Sequence, residues 1–238
     1  MKAKIRLYVE QPLGQGQDVS LSRDQAHYLF GVMRLPVGAH VALFNGTDGA
    51  WRAQVVAAGK RGGTLQCHDL IAPQVMPPDL WLCFAPIKKA RTDFIVEKAV
   101  EMGARRIVPM VTDFTNSERI RQDRLQAHAV EAAEQCGATY VPEVTALTKF
   151  DALLAQAADR QILFCDEAEA GSQRGLSDAP KGAWCIFIGP EGGFSDAERT
   201  RLQSLPNAHT LSLGPRILRA ETAAVAAMTI WQTRLGDW

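Results

Sequence analysis

Apolar positions in the first seventy residues come in short segments, Arg6–Val9, His40–Phe44, Trp51–Val56 and Thr64–His68, and these predict strands. Asn45-Gly46 and Asp48-Gly49 lie between such segments and supply the positive-φ residues that tight turns need. After Ser22 the pattern turns helical. Gln25 completes a capping box with Ser22, and Leu29, Phe30 and Met33 form one apolar side. Together these segments predict a small, mostly β, barrel-like domain over residues 1–72.

Ala72-Pro73-Gln74-Val75-Met76-Pro77-Pro78 breaks the pattern, because its prolines fit neither a central strand nor a helix interior. Residues 73–79 therefore read as an extended linker, and 80–238 as a second domain. There the period alternates. Strands are predicted at Trp81–Ala85, Arg106–Val111, Gln161–Cys165, Trp184–Ile188 and Thr210–Leu213. Helices are predicted near Thr92–Met102, Arg124–Cys136, Asp151–Ala157, Asp196–Leu205 and Glu221–Leu235. Gly103 and Gly137 fall where helix C-termini need a left-handed residue, and Ser195 with Glu198 makes a second capping box. Strand–helix alternation predicts an α/β fold with a mainly parallel sheet covered on both faces.

Composition narrows the function classes. Apolar residues make up 47% and charged residues 22% of 238 positions, which is globular. No run approaches the roughly 18 apolar residues of a membrane span, and no signal-peptide stretch opens the chain, so a cytoplasmic protein is expected. Cys67, Cys83, Cys136, Cys165 and Cys185 stand apart among small or apolar neighbours. They read as buried free thiols of a reducing compartment, and no metal is expected. Basic and acidic side chains balance at 26 each, but residues 1–72 hold 8 basic and 5 acidic ones. Nucleic-acid binding would need a local patch.

Two loops carry candidate chemistry. Ile188-Gly189-Pro190-Glu191-Gly192-Gly193-Phe194-Ser195 follows a buried strand and precedes a capped helix. Leu213-Gly214-Pro215-Arg216-Ile217-Leu218-Arg219-Ala220-Glu221-Thr222 repeats the Gly-Pro strand end and crowds polar groups at the start of an apolar helix. Glycines at strand ends let a backbone approach a ligand, but each loop could equally be a plain tight turn, and Glu221 a first-turn acid favoured by the helix dipole. Neither loop is G-x-G-x-x-G, and no P-loop lysine follows.

I-G-P-E-G-G-F-S-x-x-E combined with L-G-P-R-I-L-R-x-E-T resembles the bacterial small-subunit rRNA uridine-N3 methyltransferases of the RsmE type, in the SPOUT superfamily. The likeness extends through Arg6-Leu7-Tyr8-Val9, His27, Val32–Leu35, Glu97–Ala104, Ala132–Cys136 and Val141–Glu143. It implies a PUA-like N-terminal RNA-binding domain and a trefoil-knotted C-terminal domain that binds S-adenosylmethionine and homodimerises. The implied reaction is N3 methylation of one uridine of 16S rRNA (U1498 in the family) in ribosome maturation, the small ribosomal subunit being the partner.

Carried over by position, the implied cofactor residues are Leu163, Cys165 and Asp166; Ile188, Gly189, Pro190, Glu191, Gly192 and Gly193; and Leu211, Ser212, Leu213, Gly214, Ile217 and Leu218. Arg219 is the implied catalytic arginine, with Glu221 as its orienting partner or the base. Arg6, Arg34 and Arg91 are candidate RNA contacts, each equally readable as a solvated charge. Tyr8 and Trp51 suit base stacking or the core, and His27 reads as a packing residue. Phe114 stands where many relatives have an arginine, and Ala138-Thr139-Tyr140 where they supply one or two; Arg119, Arg121 and Arg124 lie close by. These departures leave open an RNA-binding or assembly module with a changed target or no turnover. A nucleotide-binding oxidoreductase is the third class, and it lacks its fingerprint here.

Overall fold

The computed structural model describes residues 5–117, 119–165, 176 and 179–238. The chain divides into two compact units, Met1–Met76 with Ala133–Val141, and Pro77–Ala132 with Pro142–Trp238.

In the first unit, β1 (Arg6–Tyr8), β2 (Asp18–Ser20), β3 (His40–Phe44), β4 (Ala50–Gly59) and β5 (Gly62–Ala72) form one sheet in the order β1-β3-β4-β5-β2. β1 runs parallel to β3, and the other neighbours are antiparallel. Val19, Val41, Leu43, Val55 and Leu65 point into a closed core. β2 and the extension of β5 beyond His68 escaped the sequence reading, because neither shows an apolar alternation of its own. The Asn45–Asp48 turn is built as its residues require. Asn45 Oδ1 accepts from the Thr47 and Asp48 amides, and Asp48 Oδ2 accepts from Leu13 N–H at 2.9 Å.

The predicted capping box is present at α1 (Arg23–Ala26), with Ser22 accepting from Gln25 N–H. The helix then widens into a π-helical stretch, His27–Val32, closed by Met33 N–H donating to Tyr28 C=O at 2.9 Å. The wider turn shifts the period from 3.6, so Leu29 is buried and Met33 is exposed rather than sharing its face. Trp51 and Tyr8 are half-buried. The Trp51 indole donates to Asp48 C=O, and Tyr8 packs edge-on to Phe44.

In the second unit, β6 (Leu80–Phe84), β7 (Arg106–Val111), β8 (Glu143–Val144), β10 (Gln161–Cys165), β11 (Trp184–Ile188) and β12 (Ala208–Leu211) run in the order β12-β10-β11-β6-β7-β8, and β9 (Thr148–Lys149) pairs with β7. Every neighbour pair is parallel, so all carboxyl ends lie on one edge. The helices are α2 (Lys89–Glu101), α3 (Gln122–Cys136, whose residues from Ala133 on belong to the first unit), α4 (Phe150–Gln156), α5 (Asp196–Gln203) and α6 (Ala220–Leu235). Leu82, Phe84, Phe164, Ile186 and Phe187 are fully buried, as central strands covered on both faces must be. Each such side chain contributes about 1.5–3 kcal/mol of transfer free energy.

β12 spans Ala208–Leu211 rather than Thr210–Leu213, since Leu213 already enters the Gly214 turn. Gly103 and Gly137 take φ values of +78° and +85°, as helix ends of this kind demand. Buried Gln232 of α6 donates to Met102 C=O at the end of α2, fixing α6 against α2. All five cysteines are free thiols, but the expectation that all are buried fails. Cys136 is exposed on the last turn of α3, where the helix face turns to solvent, and Cys165 is partly exposed. Among the described residues no helix is long and apolar enough to cross a membrane.

His209 of β12 packs against the Trp184 ring at a tilt of 40° and lies 2.9 Å from Gln161 Oε1, and desolvation lowers its pKa from the ordinary 6.5. The folded state therefore binds this proton less readily than the unfolded chain, and stability falls as pH drops through about 6.5. His209→Gln should show a smaller loss of Tm than wild type between about pH 7 and 5, measured by thermal melts across that range.

Candidate functional site: two Gly-Pro loops at one sheet edge

β10 lies between β11 and β12, so the loops that leave β11 and β12 flank the end of β10. They enclose one pocket with about 650 Å³ of empty space, its open mouth included. Of the sequence-predicted cofactor residues, Cys165, Ile188, Gly189, Pro190, Glu191, Gly193, Leu211, Leu213, Gly214, Ile217 and Leu218 line it. Leu163 lies buried within β10, while Gly192 and Ser212 belong to the loops without facing the pocket. Asp166 falls outside the described residues. Phe194, Arg216, Ala220 and Ala223 complete the lining. Their part was hidden in the sequence because it depends on where α6 starts relative to β12.

Glycine is demanded by the first loop's fold. A Cβ on Gly189 would lie 3.1 Å from the Gly193 carbonyl carbon, since the loop doubles back with Gly193 N–H donating to Pro190 C=O. Gly193 and Gly214 adopt φ of +68° and +95°. The wall is otherwise apolar side chain and backbone, with one acid, Glu191, and one base, Arg216. Cys165 faces this wall in surroundings dry enough to push its thiol up to about 12, so it stays protonated at neutral pH.

The first loop is anchored by a carboxylate whose second role the capping-box reading did not show. Glu198 is buried; its Oε2 accepts from Ser195 N–H and its Oε1 from Asp113 N–H, each at 2.9 Å. Ser195 Oγ donates back to Asp113 Oδ2 at 2.5 Å. One side chain thus ties the glycine loop to the segment that leaves β7.

Charged groups gather beside the pocket. Arg91 of α2 stands between two carboxylates, its Nε 3.4 Å from Glu221 Oε1 and its Nη1 3.7 Å from Glu191 Oε1. Glu221 Oε2 is buried and has no hydrogen-bond partner among the described residues. Arg219 caps the start of α6 with its backbone, its side chain exposed. Arg6 is already engaged, donating to Ala138 C=O at 2.6 Å and lying over the Phe44 ring; desolvation lowers its pKa. Arg34 is exposed, with a strained φ of +53° and no partner among the described residues. Among the described residues no cluster of three or more His, Cys, Asp or Glu is placed to hold a metal ion.

Residues 62–232 match the RNA methyltransferase domain family, and residues 21–66 the RNA methyltransferase PUA domain family. Ribosomal RNA small subunit methyltransferase E of Rickettsia conorii is 32% identical over 235 residues, 97% of this chain and 95% of that protein. The chain belongs to the ribosomal RNA small subunit methyltransferase E family. The solved enzyme of that name from Neisseria gonorrhoeae, bound to S-adenosyl methionine, superposes with a TM-score of 0.88 at 28% identity, covering 98% of this chain and 99% of that one. A Legionella pneumophila protein in complex with the bound cofactor SAM gives 0.89 at 29% identity, with the same coverage. Within this family fold, the two Gly-Pro loops and the Arg91–Glu221 pair converge on one edge of the parallel sheet.

Glu198→Ala should leave two amides without their acceptor and cost about 2 kcal/mol. That is roughly 4–8 °C of Tm for a chain of this size, whereas Ser195→Ala should cost about half as much. Calorimetric melts of both variants check this.

Proposed function

We propose that this protein is a S-adenosylmethionine-dependent rRNA methyltransferase that modifies N3 of one uridine of 16S rRNA in the small ribosomal subunit. The observation that carries the reading is the single pocket formed by both Gly-Pro loops, with Arg219 and Glu221 at its border on α6. Family membership and relatives solved with the cofactor support it.

The pocket suits the cofactor on its own chemistry. Glycine backbone and apolar side chains, Ile188, Leu211, Leu213 and Leu218 among them, fit a flat adenosyl group. The lining contains no lysine for phosphates, and Glu191 with Arg216 matches the opposite charges of an amino-acid moiety. S-adenosylmethionine supplies an electrophilic methyl group on a sulfonium.

The protein's own groups handle the base. The imide proton at N3 must leave, and negative charge then spreads over the uracil carbonyls. Arg219, exposed at the N-terminus of α6, is assigned to that charge, where a preorganised cation lowers the barrier. Glu221 is assigned to the proton. Arg91 engages its Oε1, leaving the buried Oε2 as the open acceptor. In this reading Arg91 serves the site chiefly through Glu221, and of the three arginines considered for RNA, Arg34 is the phosphate contact, while Arg6 of the same unit is held by Ala138 and Phe44.

The trefoil knot, the cytoplasmic location and a homodimer through the second unit belong to the same proposal. The half-buried apolar residues Val225, Ala226 and Ile230 on α6 support the dimer.

Methyl transfer from labelled S-adenosylmethionine to small subunits lacking the modification, mapped by primer extension, tests the reading; a single stop at one uridine is expected. Arg219→Ala should lower the rate at least about 100-fold while cofactor affinity measured by calorimetry changes little. Gly189→Ala should do the reverse, weakening the cofactor through the loop it distorts. Cofactor binding without transfer by the wild-type protein would point to a changed RNA target.

A further inference from the structure

Phe114 lies in the segment that follows β7, on the same sheet edge as the two Gly-Pro loops. The residue is 47% exposed. Among the described residues of the second unit, the exposed large apolar side chains are Phe94, Phe114, Ile217 and Trp238. Phe94 has the Lys98 ammonium over its ring, 5.4 Å from the centroid. Ile217 faces the pocket, and Phe114 borders the first glycine loop at Gly192, between the pocket-lining Glu191 and Gly193.

The backbone that displays Phe114 is fixed on both sides. Asp113 N–H donates to buried Glu198, and the Asp113 carboxylate accepts from Ser195 Oγ. Thr115 is buried; its hydroxyl accepts from Thr112 N–H at 2.8 Å and lies 2.9 Å from the Thr112 hydroxyl. The ring is therefore held out on a rigid mount. Gly192 is shaped to the same ring, since a Cβ there would lie 3.3 Å from Phe114 Cβ and 3.4 Å from Cδ2. Neighbouring Glu191 and Gly193 both line the pocket.

An exposed aromatic face on a rigid mount beside a methyl-donor pocket suits one occupant, an unstacked base of the RNA. Extruding a base from its neighbours costs a few kcal/mol, and an aromatic face returns part of that by stacking. We propose that Phe114 is the platform on which the target pyrimidine of the RNA stacks while it is methylated. This rests on the reading above, and it assigns to Phe114 a task that needs a π face rather than a charge. Stacking on a protein aromatic contributes about 1–3 kcal/mol per base, roughly 5- to 150-fold in binding.

Phe114→Leu keeps the apolar contact with Gly192 and removes the π face. It should lower kcat/KM for unmodified small subunits by about 10-fold and weaken their equilibrium binding, with cofactor affinity by calorimetry unchanged. Phe114→Trp should restore both. The proposal is overturned if Phe114→Leu behaves as wild type, if Phe114→Trp is as defective as Phe114→Leu, or if cofactor affinity falls in parallel, which would make the ring a prop for the glycine loop. Should the wild-type protein transfer no methyl group at all, the function reading fails by itself. Subunit binding then decides about Phe114, and unchanged affinity in Phe114→Leu sinks the platform.

Discussion

The parallel placement of β10 between β11 and β12 is the constraint on which the site depends. In sequence, β10 precedes both strands, and the two Gly-Pro turns are separated by α5 and β12. Because all three strands run the same way, their carboxyl ends share one edge, and the turns leaving β11 and β12 close over the end of β10 from both sides. An antiparallel neighbour would have sent one turn to the opposite edge. The buried runs of β6, β10 and β11 enforce this arrangement, since strands covered on both faces cannot tolerate the polar positions of an exposed sheet.

On that edge the protein builds its pocket wall largely from backbone and aliphatic side chains. The cost of holding glycine-rich loops in one conformation is offset by a few well-placed polar bonds. Glu198 supplies two of them from one buried carboxylate, joining the segment after β7 to the loop after β11. Removing an acceptor at such a point exposes the desolvation cost of its donors, so this side chain governs loop order more than its place in a short surface helix suggests.

Charge beside the pocket is divided by role. Arg91 is balanced between Glu191 and Glu221 and so contributes little free positive potential, whereas Arg219 has no such counterweight among the described residues. A neutralised cation suits the orientation of a carboxylate, and an uncompensated one suits a substrate that becomes anionic. Cys165 adds no charge here, because burial of its thiol keeps it protonated.

Local signals were sufficient for much of this. Capping boxes at Ser22 and Ser195, the turn residues Asn45 and Asp48, the helix-ending Gly103 and Gly137, and the apolar runs of β6, β7, β10 and β11 were all legible, because each is decided by neighbours within a few residues. So were the two Gly-Pro loops, and with them the family resemblance. The π-helical widening at His27–Val32 was not legible, since its period departs from 3.6 for reasons of packing. Nor were β2, β8 and β9, whose two or three residues become strands only against a neighbour. The pairing of Arg91 with Glu191 and Glu221, the second bond of Glu198 to Asp113, and the seat of Phe114 on Gly192 join residues from 78 to 130 positions apart. Sequence alone determined which residues could form the site. Strand order in the parallel sheet decided which of them meet, because that order is set by burial of whole strands and leaves no mark on any single segment.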